Sequence, residues 1–412
     1  MTAMPELRRE AATRFEALGW PTSRQESWRY FNVRKLREGG FAPVHEAGDI
    51  TLADLPAPLG SERIVIVDGA FASPISHVES VAVRELSDSH QEHFDGVARQ
   101  LDDVAMAALN TQHFRGGLAL TVPDGAACEE AVEVLFVHSA GEQAALASPR
   151  LFIQASRHAQ LNLIFRFVSL AEGRAPASLT NALIHVKAVT GARIRTATVC
   201  DEHAAATHVH TVLAEVGRDA HYANHVIMQG GASTRSELRV LLQEPGASCD
   251  LRGLYVATGD QVQDNYTQIE HIAPHTSSNE LYRGLIDDAA VGTFQGRVLI
   301  GREARNSEAH QLNNNLLLGE RAVANTKPQL EIDIDEVVAS HGSTVGSLDR
   351  DALFYLESRG LAPERARGLL TFAFAREVLD GMCSGALASA LAHELEAQLS
   401  GGADHASWPQ EL

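Results

Sequence analysis

The stretch that decides the fold reads AHQLNNNLLL and spans residues 309–318. Its amide side chains at Gln311, Asn313 and Asn315 recur with a period of two, which places them on one face of a β-strand. The stacked rungs of a coil can pair such amides in ladders, as stacked identical strands do. The stretch therefore favours a parallel β-helix, in which short strands stack along one axis.

The surrounding tract, residues 116–346, has the same character. Short runs rich in Val, Ile, Leu, Thr and Tyr alternate with polar residues, as at Leu238, Val240 and Leu242. Gly-Gly, Pro-Gly and Asp-Asp turn signals separate these runs at fairly regular intervals. Such a pattern indicates either a repeat coil or an all-β sandwich or barrel. The length of the tract favours the coil, while the pattern alone leaves both architectures open.

The amino-terminal flank has mixed character. Apolar residues at helical spacing predict a helix from Glu6 to Leu18, and a second helix is predicted from Val97 to Leu109. Between them, the β-branched run from Ile64 to Val67 predicts a short strand. This flank is therefore expected to be a small mixed α/β region.

The carboxyl-terminal flank predicts three helices. Ser347 or Asp349 can cap the first, which runs to Arg359, Pro363 begins the second, and Ser384 caps the third. The second and third helices carry apolar stripes at a spacing of four, at Ala366, Leu370, Phe374 and Val378 and at Leu387, Leu391, Leu395 and Leu399. Stripes of this kind normally pack against another element.

The flanks and the tract together predict three units. These are a mixed, partly helical region over residues 1–112, a β-helix core over 113–346 and a helical region over 347–412. A solenoid needs terminal elements that cover its open ends. We therefore expect the two flanks to act as caps on the coil.

Composition narrows the class of protein. The chain has 412 residues and a formal net charge of −19, and such an acidic surface disfavours binding to nucleic-acid phosphates. The first residues lack the apolar segment of a secretory signal, and no run of about 18 apolar residues occurs, so we expect a cytoplasmic protein that does not span a membrane. The four cysteines are widely spaced, which predicts neither a disulfide framework nor a thiolate metal site. Nucleotide-binding loops and the G-x-S-x-G nucleophile motif are absent from the sequence.

Two groups of residues could carry chemistry of their own. Histidines cluster at positions 203, 208, 210, 221 and 225, and His208 and His210 share one strand face, so a metal pair is geometrically possible. Because no carboxylate or cysteine stands at a spacing that would close such a site, we expect ordinary, partly exposed strand residues. Paired acids such as Asp287 and Asp288 would suit a polysaccharide-cleaving enzyme, but turn and surface acids are the expectation.

Four blocks in the later part of the chain resemble a known family. They read AHQLNNNLLL at 309–318, NTKPQLEI at 325–332, SHGSTVG at 340–346 and LFYLESRG at 353–360. In this order they closely resemble the carboxyl-terminal region of the SufB/SufD family of SUF iron–sulfur cluster assembly proteins. Weaker matches, such as SWRY at 27–30 and VDGAF at 67–71, extend the resemblance over nearly the whole chain.

The same blocks resemble the SufD branch of the family more than the SufB branch. SufB-like chains carry a cysteine where this chain has Asn313, and an E-H-E-type segment where it has Ser340, His341 and Gly342. One departure is Ala339, because many SufD chains have a cysteine at that position. A thiolate from this position is therefore excluded here.

The resemblance implies a right-handed parallel β-helix that serves as a non-catalytic scaffold together with SufB and the ATPase SufC. It implies strand pairing with SufB near the carboxyl-terminal end of the coil, where His341 would be a ligand of iron or of a nascent cluster. It also implies that SufC docks on the tail, through Leu353, Phe354, Tyr355, Leu356 and Arg359.

For cofactors, the resemblance implies none bound tightly by the isolated chain, and transient iron or an iron–sulfur cluster in the complex. Two alternatives stay open at this point. One is a SufB-like scaffold that holds a cluster by itself, and the other is a carbohydrate-active enzyme built on a β-helix. Pairing of the isolated chain with itself, as a homodimer, is also left open.

Overall fold

The computed structural model describes residues 4–139, 143–170 and 177–399, so the end of the predicted tail region lies outside the described residues. The amino-terminal part contains α1 (Met4–Leu18), α2 (Val33–Glu38), β1 (Ala42–Pro43), β2 (Glu62–Val67), β3 (Ala70–Phe71), β4 (Ala82–Glu85), α3 (Gln91–Gln100) and α4 (Ala105–His113). The predicted first helix and the predicted short strand are thus confirmed as α1 and β2.

A long run of strands without helices follows. Its members are β5 (Leu118–Val122), β6 (Ala127–His138), β7 (Ala145–Ala147), β8 (Arg150–Ala155), β9 (Gln160–Ser169), β10 (Ser178–Ala188), β11 (Arg193–Asp201), β12 (Ala206–Val216), β13 (His221–Met228), β14 (Ser233–Leu242), β15 (Ser248–Ala257), β16 (Val262–His271), β17 (Ser277–Ile286), β18 (Val291–Ile300), β19 (Ser307–Leu317), β20 (Val323–Ile332) and β21 (Val337–Gly346). From β8 onward, even-numbered strands form one sheet and odd-numbered strands form the other. One strand from each sheet makes a rung, and the ladders between rungs are parallel. This architecture confirms the parallel β-helix and excludes the sandwich and the barrel.

The rungs stack in register, so like residues meet on successive strands. Val262 pairs with Val291, and Val291 pairs in turn with Val323. The alternating residues Leu238 and Val240 point inward and are 0% exposed, as the period-two pattern predicts. The inward faces of the two sheets thereby form one continuous apolar core. Each strand ends in a turn, so one rung, which consists of two strands, contains two of the predicted turn signals.

The amino-terminal region joins the coil at its first rung. Strand β2 pairs in parallel with β6, and β4 pairs antiparallel with β5, so each sheet is extended by a strand from this region. Helix α4 lies against the coil, where the Asn110 side chain donates hydrogen bonds to the carbonyls of Pro149 and Asn181 at 2.9 and 2.7 Å. This end of the coil is therefore covered. The division of the chain at residues 112 and 113 stays a prediction.

The predicted helix from Val97 to Leu109 is wrong in its extent. The chain forms two helices instead, α3 and α4, with a break between them. At the break, Leu101 and Val104 are both buried in one apolar cluster with Trp28, while the Asp103 carboxylate pairs with Arg239 of β14 at 2.8 Å. Packing against the coil outweighs the local helical preference of this segment.

Three helices end the described chain: α5 (Arg350–Ser358), α6 (Pro363–Leu379) and α7 (Gly385–Leu399). Their predicted start signals are confirmed. The Asp349 carboxylate accepts a hydrogen bond from the backbone N–H of Asp351, and the Ser384 hydroxyl accepts one from the N–H of Leu387 at 3.2 Å. Pro363 occupies the first turn of α6.

The expectation that the tail caps the end of the coil is wrong. Leu387 and Leu391 of α7 are buried against outward-facing residues of the odd-numbered sheet, among them Ile164, Ile227 and Leu254. These outward residues form an apolar strip that runs along several rungs, and covering that strip removes more apolar surface from water than covering one rung would. The tail helices α6 and α7 therefore lie along the side of the coil.

Replacing an inward residue should cost far more stability than replacing an exposed one. We expect Leu238→Ala to lower the free energy of unfolding by about 2–5 kcal/mol, because the inward face of β14 cannot collapse around the cavity. Leu312→Ala is the matched control, since Leu312 is 40% exposed, and it should change stability by less than about 1 kcal/mol. Urea unfolding followed by circular dichroism measures both, and equal losses would contradict the inward assignment.

Candidate functional site at the open end of the coil

The last rung of the coil is the least covered part of the solenoid. β20 pairs with β18 and β21 pairs with β19, and among the described strands no further rung lies on either. Large apolar side chains on this rung are therefore exposed, namely Val323, Ile332, Val338 and Val345. A strand edge and an uncovered apolar face meet at this end, which is the usual signature of a docking surface.

His341 lies on β21 at an inward-facing position of this open rung. It pairs in register with Gln311, which pairs with Glu280 on the strand below. Gln311 and Glu280 are buried, and the Gln311 amide donates a hydrogen bond to the Glu280 carboxylate. His341 itself is exposed, because nothing in the described chain stacks above it. The imidazole thus lies at the exposed end of a column of polar side chains whose buried members are Gln311 and Glu280.

The amides that favoured the coil form a network of a different kind from the predicted ladder. The Asn313 amide donates to the Tyr255 hydroxyl at 3.0 Å, and the Asn315 amide donates to the Asn313 carbonyl oxygen at 2.8 Å. The register partners of these amides are Tyr282 and Gly284, which are not amides, so identical side chains do not stack. The fold follows from the alternating pattern, but the expected amide ladders are wrong.

Glu280 is the ionisable group at the centre of this column. It is 1% exposed, and burial raises the pKa of its carboxyl group from 4.5 to about 7. Hydrogen bonds to Thr267 and Gln311 oppose this effect in part. Burial therefore favours the protonated form of this carboxyl group, which lies one rung below Gln311 and two rungs below His341.

The five predicted tail residues lie on or just after α5, which follows β21 closely in the chain. They are Leu353, Phe354, Tyr355, Leu356 and Arg359. Phe354 is 73% exposed and Tyr355 is 57% exposed, and no residue of α5 is buried. The Arg359 guanidinium lies over the Tyr355 ring at 5.5 Å. The helix presents aromatic surface that the described chain leaves uncovered.

The histidine group departs from the prediction. His208 and His210 are 0% exposed, so the expectation of partly exposed residues is wrong for them. Their ligand atoms and the Cys200 sulfur all lie within 4.8 Å of one another, and the Glu202 carboxylate lies 2.6 Å from His208 Nδ1. No sequence pattern links Cys200 and Glu202 to these histidines, because Cys200 lies near the end of the preceding strand and Glu202 lies in the turn after it.

Of the other residues considered as candidates, His225 packs in the interior of the protein and Asp288 is a turn residue. His225 is buried and its imidazole bonds to the carbonyl of Asp380, and burial lowers the pKa of His225 to about 4. Asp288 is exposed and takes a positive φ of 51°, as a turn residue does. These residues give no further grouping of catalytic type in the described part of the chain.

The fold and its open end define the class as a parallel β-solenoid with one uncovered terminal rung. The description "SUF system FeS cluster assembly, SufBD core domain" matches residues 136–374, and "SufBD protein N-terminal region" matches residues 1–134. The chain belongs to the SufBD family of SUF-system iron–sulfur cluster assembly proteins. The resemblance stated from the sequence blocks is thereby confirmed.

Individual relatives agree with this family. The chain is 28% identical to the iron-sulfur cluster assembly protein SufD of Escherichia coli over 93% of this chain and 90% of that protein. It is 28% identical to SufD of Bacillus subtilis over 73% of this chain and 68% of that protein. A SufBD family protein of Synechocystis is 26% identical over 90% of this chain and 86% of that protein.

Among the helices of the described residues, none combines the length and the apolar character needed to cross a bilayer.

Glu280 predicts how the stability of the coil varies with pH. Because its folded pKa of about 7 lies above the unfolded value, the folded state holds the proton more tightly. Wild-type stability should therefore fall as pH rises through the window between the unfolded and the folded pKa, and level off above it. In wild type this pH-dependent loss amounts to up to about 3 kcal/mol of the free energy of unfolding, and Glu280→Gln should not show it, because the variant has no carboxyl group at this position.

The test is urea unfolding of wild type and variant over this pH range. The exposed residue Glu308 supplies the control, and Glu308→Gln should leave the pH profile of wild type unchanged. A Glu280→Gln profile that runs parallel to wild type at every pH would contradict the assigned protonation of the buried carboxyl group.

Proposed function

We propose that this chain is a non-catalytic scaffold subunit in iron–sulfur cluster assembly and that it joins a SufB-type coil through its open end. One observation carries the proposal: a free strand edge, exposed apolar side chains and an exposed imidazole occur together on the last rung. Membership of the SufBD family and the relatives named SufD support the assignment to cluster assembly.

The strand edge supports pairing with another coil. β21 is hydrogen-bonded to β19 on one side, and no described strand occupies its other side. Such an edge offers backbone N–H and C=O groups to an incoming strand, and side chains on that strand supply specificity. Docking would also cover Val338 and Val345, which are 58% and 47% exposed. A second copy of this chain offers the same edge and is the competing occupant.

His341 supports a shared cluster at this junction. A neutral imidazole is a good ligand for iron, and this one is exposed on the rung that the partner would cover. All four cysteines of the chain are buried, so none offers an exposed thiolate at the open end. In the proposed junction the thiolates come from SufB, and iron and sulfide are transient cargo. This arrangement distinguishes the chain from a SufB-like scaffold that holds a cluster alone.

Removing the imidazole should separate assembly from cluster formation. We expect His341→Ala to preserve co-purification with SufB and SufC, because strand pairing uses backbone groups, and to lower iron and acid-labile sulfide per complex by at least about tenfold. Anaerobic reconstitution followed by iron and sulfide analysis measures the effect.

The neighbouring strand supplies a matched control. His310 is also exposed, but it points away from the column and bonds to Ser340 at 2.7 Å, so His310→Ala should keep the wild-type cluster yield. A normal cluster yield in His341→Ala would show that His341 is not a ligand and has only a structural role. A stable cluster on the isolated wild-type chain would instead favour the SufB-like alternative.

Helix α5 is the proposed docking surface for the ATPase SufC. Its aromatic side chains are uncovered, and its position directly after β21 links it to the open rung. Nucleotide-driven movement of two SufC subunits, one on each coil, would pull on both tails and open the junction between the coils. The support is the exposed Phe354 and Tyr355 together with the expectation drawn from family resemblance.

Charge placed on α5 should abolish this contact. We expect Phe354→Asp with Tyr355→Asp to prevent co-purification of SufC, because both rings lose their apolar contact area, while the circular dichroism of the coil stays unchanged. Leu52→Asp is the control, since Leu52 is 65% exposed but lies in the amino-terminal region. If the double variant retained SufC, α5 would not be the docking surface.

A further inference from the structure

A second group of potential ligand atoms lies inside the coil, far along the strand order from the open end. Cys200 is near the end of β11. His208 and His210 are two residues apart on β12, so both imidazoles lie on the same face of that strand. The three side chains are at most 1% exposed. The short turn between β11 and β12 brings the cysteine back over the histidines.

The distances suit a metal ion held by three protein ligands. His208 Nε2 lies 2.9 Å from His210 Nδ1, and the Cys200 sulfur lies 3.9 Å from His210 Nδ1. Zinc binds imidazole nitrogen at about 2.0–2.1 Å and thiolate sulfur at about 2.3 Å, so tetrahedral ligand atoms stand roughly 3.3–3.7 Å apart. Both of these separations lie within about 0.5 Å of that range.

Glu202 orients the first imidazole. Its carboxylate lies 2.6 Å from His208 Nδ1, and its other oxygen accepts a hydrogen bond from the Thr180 hydroxyl. A carboxylate on the far nitrogen is the usual support of a metal-binding histidine, because it leaves Nε2 to bind the ion. In this arrangement Nε2 is the atom that faces His210.

The surroundings exclude bulk water. The Phe167 ring lies 4.6 Å from the His208 ring and 6.1 Å from the His210 ring, centroid to centroid, and Met228 pairs in register with Cys200 on the next rung. A small cavity lined in part by Phe167, Thr180 and Glu202 adjoins the group. A shell that excludes bulk water suits a buried metal ion held by protein ligands.

We propose that Cys200, His208 and His210 bind a divalent transition-metal ion of the Zn²⁺ type inside the coil, with Glu202 as the positioning residue. The site is separate from His341, which lies on β21, and it does not depend on pairing with SufB. Imidazole and thiol ligands must be deprotonated to bind a metal ion, so affinity rises with pH and protons are released to solvent.

The test is metal binding by the full chain, purified without partners and stripped with a chelator. Because the site is closed, Zn²⁺ or Co²⁺ is added both to the folded chain and during refolding from denaturant. We expect one ion per chain by elemental analysis, and with Co²⁺ a thiolate-to-metal charge-transfer band in the near ultraviolet. Proton release, followed by calorimetry in buffers of different ionisation enthalpy, should accompany binding.

Variants separate ligands from bystanders. Cys200→Ser should remove the charge-transfer band, His210→Gln should weaken binding by at least about 100-fold, and Glu202→Gln should weaken it about 10–100-fold while keeping the band. Cys249→Ser is the control, since Cys249 is also buried within the core of the coil and lies outside the group. A folded wild-type chain that takes up no metal in either arm would overturn the proposal, as would equal loss in Cys249→Ser.

Discussion

The parallel ladder of backbone hydrogen bonds is the constraint on which the rest of the structure depends. Each rung satisfies the N–H and C=O groups of its neighbour, so a coil can end only where something else covers the last strand. At the amino-terminal end, β2 and β4 continue the two sheets, and α4 packs on β10 and β12 of the even-numbered sheet. At the other end, the coil stops at β20 and β21, and no described strand pairs with their free edges. The open edge is therefore the feature on which the proposed pairing with a partner strand rests.

The interior of the coil holds buried polar groups, several of which bond to one another. Tyr255, Asn313 and Asn315 satisfy one another near the open end, and Glu202 satisfies His208 near the middle of the strand order. Unpaired, such groups would cost several kcal/mol in an apolar core. The apolar core around them is continuous along the coil, and other buried polar groups, such as His271 with Thr276 and Ser278, also lie inside it.

The candidate site was only partly accessible from sequence. His341 and the α5 aromatics were named from blocks that resemble a family, and the structure places them as exposed groups at or beside one end of the coil. Their exposure depends on the absence of a further rung, which no local pattern reports. Cys200 and Glu202 were missed because contact between β11 and β12 depends on the turn that joins them and on the stacking of the rungs. Periodicity describes one strand at a time and carries no information about that contact.

The sequence by itself determined the repeat of strands, the helix starts at Asp349, Pro363 and Ser384, and the family. These features are local, since a cap, a proline or a two-residue alternation acts within a few residues of its own position. Only the tertiary structure decided that α3 and α4 are separate and that α7 lies along the side of the coil. Both depend on apolar surface contributed by strands distant in the chain, and that surface exists only once the rungs have stacked.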